Sequence, residues 1–202
     1  TDQALKTDPS FHRGAFFGDA DSVKKYYADQ SEGDLSITSA RGGTGVMSLN
    51  LGAEDANEGK HPGVWINTGT DEEKHANEVA FVTSVVKKAE AAGVDFASFD
   101  ANRDGKITPE ELCVYLIVAG YEESGSKLTP SVWAHAWLSW LEDGADHVVT
   151  VGGKTLTDWA MNGEYYATDV PMPFGVIAHE LGHQFCGLPD LYDTAKTNEG
   201  LG

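Results

Sequence analysis

The run His179-Glu180-Leu181-Gly182-His183 sets two imidazoles four positions apart, with a carboxylate beside the first. On a helix that spacing aims both rings from one face, where they can share a single Zn²⁺. The glutamate then borders the metal's open coordination position and can take a proton from a water attacking a carbonyl carbon. This is the chemistry of a zinc-dependent peptidase: Glu180 is the catalytic base, His179 and His183 are zinc ligands, and one catalytic Zn²⁺ is the cofactor. The bland alternative is a chance arrangement on a polar surface helix, and the neighbouring residues weigh against it. Pro173 to Ala178, with Leu181 and Phe185, make the segment largely apolar. Imidazoles and a carboxylate on a buried helix are costly without hydrogen bonds or a metal. Pro171 and Pro173 mark a helix start, and Gly187-Leu188-Pro189 marks a stop. A turn at that glycine can swing a third ligand back to the metal. Asp190 is the first candidate, then Asp193, Glu199 or a residue beyond Gly202, and spacing alone does not choose among them. Tyr165, Tyr166, Tyr192 and His135 are candidates to assist.

A second metal motif lies upstream. Asp100-Ala101-Asn102-Arg103-Asp104-Gly105-Lys106-Ile107-Thr108-Pro109-Glu110-Glu111 follows the twelve-residue calcium-loop pattern. Asp100, Asn102, Asp104 and Glu111 supply side-chain oxygens, Lys106 offers its carbonyl, and Gly105 allows the tight turn. Phe96 and Phe99 stand where an entering helix would anchor. An ordinary turn rich in Asp, Asn and Gly is the competing reading. A lone loop of this kind suits a structural Ca²⁺ that pins the preceding helix to the following strand.

Several elements must position these residues. Glu72–Ala92 reads as a long helix with Val79, Val82, Val85, Val86 and Ala89 on one face and Gly93 ending it. Asp21 or Ser22 can cap a short helix through Val23, Tyr26 and Tyr27. Alternation predicts strands over Leu35–Thr38 and Val46–Leu51, and Val64–Ile66 suggests a third. Leu112–Ala119 reads as a buried strand, with helix the competing assignment. Val132–Leu141, rich in tryptophan, is expected beneath the site. Val148–Val151 and Thr155–Leu156 flank Gly152-Gly153 as a hairpin.

Composition bounds the function. The 202 residues are 41% hydrophobic and include five tryptophans, enough for one well-packed α+β domain. The net charge of −18 argues against nucleic acid and anionic membranes as partners. No apolar run approaches the roughly 18 residues that span a bilayer. Cys113 and Cys186 allow one disulfide or two thiols, and Cys186 reads as a packing residue rather than a ligand.

With its zinc motif followed by Gly187-Leu188-Pro189-Asp190-Leu191-Tyr192-Asp193, the chain resembles the immune inhibitor A family of secreted bacterial zinc metalloendopeptidases. Phe17-Gly18-Asp19, Ser22–Tyr27 and Ser31–Ser36 are similar to that family's N-terminal tract. The Asp104-Gly105 loop leading to Val118–Glu122 and Val132–Trp137 is similar again, so the likeness runs from about Phe16 onward. The resemblance implies an α+β, zincin-like metalloprotease domain with a mixed β-sheet and an active-site helix carrying the histidine motif. It implies secretion and polypeptide substrates. The expected organisation is one catalytic domain over 1–202, cut short at its C-terminus, with 1–15 a flexible N-terminal segment and at least one structural Ca²⁺. Two departures stand out. The family has two residues between the second histidine and the glycine; here Gln184-Phe185-Cys186 makes three, shifting Asp190 by one. The family's following tract, with a tryptophan and a methionine near the site, is absent. The rival reading is a catalytically inactive, calcium-stabilised binding or adhesion domain that keeps the zincin shell.

Overall fold

A computed structural model describes residues 4–40, 43–52, 57, 60–138 and 148–191. Among the described residues four α-helices flank a three-stranded and a five-stranded sheet: α1 Pro9–Phe17, α2 Val23–Gln30, α3 Asp71–Ala91 and α4 Phe174–Cys186. The strands are β1 Lys106–Ile107, β2 Tyr115–Glu122, β3 Ser131–Val132, β4 His135–Leu138, β5 Val149–Val151, β6 Lys154–Leu156, β7 Asp158–Ala167 and β8 Val170–Pro171. The larger sheet runs β3-β2-β7-β4, with β8 also paired to β7. Within it β2 is parallel to both β3 and β7, while β4 and β8 run antiparallel to β7. A mixed β-sheet with helices packed on it is the coarse form of the α+β domain expected.

Strand β7 is buried from Asp158 through Glu164, because helices cover both faces of the sheet. Alternation sorts its neighbours. Leu116 and Val118 of β2, with Trp159 and Met161 of β7, join Phe81, Val82 and Val86 of α3 in the main core. Tyr115 points the other way, into a cluster of Val23, Tyr27, Ile177, Ala178 and Leu181 from α2 and α4. Helix α4 is therefore held between the sheet and α2.

Local sequence explains the helix ends. Thr70 and Glu73 close a reciprocal capping box at the start of α3, and acidic residues fill its first turn. Ser22 caps α2 by accepting from the Lys25 N–H. Pro173 opens α4, and Gly187 ends it in the left-handed conformation at φ 61°. The β5–β6 hairpin forms across Gly152 and Gly153.

Other expectations are corrected. Leu35–Thr38 and Val46–Leu51 form no strand among the described residues. Pro62–Val64 is a 3-10 turn because Pro62 fixes a helical φ, so the strand over Val64–Ile66 does not form. Residues 9–17 are helical, and the buried Glu164 carboxylate accepts from the Lys6 and Thr7 N–H groups at 2.7 and 2.5 Å. Only a 3-10 turn, Phe96–Phe99, enters the Asp100 loop, in place of a full helical turn. Among the described residues no helix is long and apolar enough to cross a membrane.

Candidate active site

Helix α4 carries His179, Glu180 and His183 to the floor of a cleft of about 690 Å³. Its other walls are Trp133 and Ala134, then His135, Ala136 and Leu138 of β4, and the turn Gly187–Asp190. One ligand atom from each of His179, Glu180 and His183 lies within 4.8 Å of the other two. The two Nε2 atoms are 3.1 Å apart. Asp190 Oδ1 stands 3.0 Å from His179 Nε2 and 3.3 Å from His183 Nε2.

Those three separations test the fit to a metal. Donors about 2.0–2.1 Å from a tetrahedral Zn²⁺ sit about 3.3 Å from one another. Two imidazole nitrogens and a carboxylate oxygen are also the right chemistry for zinc. His183 adds a second sign. Its Nδ1 lies 2.5 Å from the Leu188 carbonyl, which can only accept, so Nδ1 is the donor there and Nε2 is the nitrogen turned toward His179 and Asp190, where a metal could replace any proton it holds. The same bond folds the turn onto the helix, with the Gly187 and Leu188 N–H groups returning to the His183 and Gly182 carbonyls. The turn so tied carries Asp190 to the histidines despite the extra residue before Gly187.

Glu180 is 5% exposed. Burial pushes its carboxyl up to about 7; His183 and His135 pull it back, while Asp190 and Glu122 add to the rise. A carboxylate balanced near neutrality suits proton transfer. Tyr165 and Tyr166 do not line the cleft, and Tyr166 packs on Gly125 instead. Tyr192, Asp193 and Glu199 lie outside the described residues. Cys113 and Cys186 are free thiols, and Cys186 is exposed at the end of α4 rather than packed.

Three participants were missed in the sequence. Glu78 of α3 is buried, and its Oε1 accepts from Trp159 Nε1 at 2.7 Å and from His135 Nε2 at 2.9 Å. A carboxylate interrupting the apolar stripe of Phe81, Val82 and Val86 was the available signal. The fully buried Glu122 accepts from the N–H groups of Ser124, Ala134 and Gly163, fastening the end of β2 to β7 and to the cleft wall. Trp133, 51% exposed, forms part of the rim.

The Asp100 loop folds on itself. Asp100 accepts from the Asp104 and Gly105 N–H groups, Asp104 from Lys106 N–H, and Glu111 from Ala101 and Asn102. Gly105 takes φ 88°. Lys154 of the hairpin lies 2.7 Å from Asp100 and, as the leading influence, lowers its pKa. Beyond the loop, β1 pairs parallel with β6. The oxygen donors suit a hard cation, but Asp100, Asp104 and Glu111 do not form a close ligand group like that on α4.

A family model for the immune inhibitor A peptidase M6 catalytic domain matches residues 11–201. The chain belongs to that family. Membership makes it a peptidase domain of a metallopeptidase family, and the α4 residues are where such chemistry can occur. No curated protein matches this chain in sequence.

Proposed function

We propose that this M6 domain is a zinc-dependent endopeptidase, secreted like the family it belongs to, acting on polypeptides. His179, His183 and Asp190 hold the metal and Glu180 is the base. The observation that carries this reading is Asp190 Oδ1 lying 3.0 and 3.3 Å from the two histidine Nε2 atoms. Bound there, Zn²⁺ would acidify the attacking water and polarise the scissile carbonyl. Glu180 takes one proton of that water as its oxygen bonds to the carbonyl carbon. As the C–N bond breaks, Glu180 returns the proton to the leaving amine, leaving a carboxylic acid and an amine. Burial of Glu180 keeps bulk water from competing for that proton. The loop Asp100–Glu111, through Asp100, Asn102, Asp104, the Lys106 carbonyl and Glu111, is proposed to take a structural Ca²⁺ after its carboxylates reorient.

Glu180→Gln keeps the shape and removes the base. Casein hydrolysis should fall about 10²–10⁴-fold with zinc content unchanged. Parental activity in that variant would end the mechanism.

A further inference from the structure

His135 sits on β4, at the edge of the larger sheet, and lines the same cleft as Glu180. Its inner nitrogen, Nε2, is fixed 2.9 Å from Glu78 Oε1, which Trp159 Nε1 also holds at 2.7 Å. Its other nitrogen, Nδ1, reaches the carbonyl of the rim residue Trp133 at 2.8 Å, on a side chain that is partly exposed. A carboxylate oxygen already accepting from Trp159 accepts again from Nε2, and a carbonyl only accepts from Nδ1. Both ring nitrogens therefore carry protons, and the side chain is an imidazolium. Burial alone would lower its pKa, but the bond to Glu78 and the charges of Glu78 and Glu180 hold it up at about 9. The charged groups facing it are Glu78 from α3 and Glu180 from α4.

The ring is thus too firmly protonated to act as a base or to bind a metal. What it offers is a charge-assisted donor at the cleft, anchored from behind by a buried carboxylate. Among the described residues the partner of that donor is the Trp133 carbonyl, two residues back in the connection that leads into β4, which a small ring movement can exchange for another oxygen. Resting on the peptidase reading above, we propose that His135 is a catalytic residue: Nδ1–H donates to the substrate's carbonyl oxygen as negative charge develops there, and Glu78 is the residue that positions it. His135 keeps its proton throughout; it lends a hydrogen bond and a charge, and Glu180 does the proton transfer.

The test uses the zinc-loaded domain and a fluorogenic peptide. His135→Phe should lower kcat about 10²–10³-fold, the cost of removing an oxyanion donor, with KM and zinc content little changed. A kcat within about threefold of the parent would overturn the proposal. Glu78→Gln should lower kcat in the same direction, and Glu78→Asp should restore part of it. Nitrogen-15 NMR of the imidazole supplies a readout apart from activity. Both His135 nitrogens should be protonated at pH 8 in the parent but not in Glu78→Gln, and a neutral ring in the parent would also overturn the proposal. If Glu78→Gln does not fold, His135→Phe decides alone. A parent that cleaves nothing, or a Glu180→Gln variant that still cleaves, would sink the peptidase reading; an active parent with an unaffected His135→Phe would sink only this one.

Discussion

His183 donates through Nδ1 to the Leu188 carbonyl and so leaves Nε2 free to bind a metal, while the same bond brings Asp190 toward it. Position and protonation are set together. Replacing Asp190 with Ala removes the third donor but leaves that bond intact, so zinc affinity should fall at least about 100-fold while the helix stays folded. Competition with a chromophoric chelator measures it, and unchanged affinity would move the third ligand to a residue outside 4–191. The Glu78–His135 pair makes a separate prediction about stability. A histidine whose folded pKa is about 9, against 6.5 ordinarily, stabilises the fold fully below about 6.5 and loses that contribution as pH rises through 9. Melting temperature should therefore drop more between those values for the parent than for Glu78→Gln. Equal slopes would show that the pair does not bear on folding. The histidine motif was plain in sequence because its chemistry is local. Glu78, 57 residues from His135, could not be paired with it until α3 and β4 met across the sheet.

At the level of elements, α2 braces the helix that bears the site. Tyr27 donates its hydroxyl to the Ala178 carbonyl at 2.5 Å. Gly182 makes room for it: a Cβ there would stand 2.8 Å from the Tyr27 oxygen. Tyr27→Phe should cost about 1 kcal/mol in urea unfolding, whereas Gly182→Ala should also weaken zinc binding by displacing α4 against α2. If Gly182→Ala bound zinc like the parent, the brace would have no bearing on the site. Elements with local signals were legible: α3 by its apolar stripe, α2 by Ser22, the hairpin by its paired glycines. Leu35–Thr38 and Val46–Leu51 misled because alternation describes side chains, while a strand exists only where a neighbour supplies hydrogen bonds. The strand β2 was recognised by its apolar run but begins at Tyr115 rather than Leu112, since Thr108 N–H and carbonyl bonds to Glu111 and Leu112 hold the preceding turn.

Across the whole molecule, the sheet receives α3 on one face and α4 on the other, and the Asp100 loop joins α3 to both sheets. The net charge of −18 makes a bound cation favourable in general. Calcium at the Asp100 loop should raise the melting temperature in a concentration-dependent way, by linkage between binding and folding. Asp104→Ala should abolish the rise, and no response to millimolar calcium in the parent would leave the loop a self-bonded turn. The zinc centre is the central claim, and X-ray absorption at the zinc edge of the purified domain tests it most directly. About one zinc per chain, with two imidazoles and light oxygen donors at about 2.0–2.1 Å and no sulfur, is the predicted result. A sulfur shell at about 2.3 Å, or zinc without imidazole scattering, would contradict it.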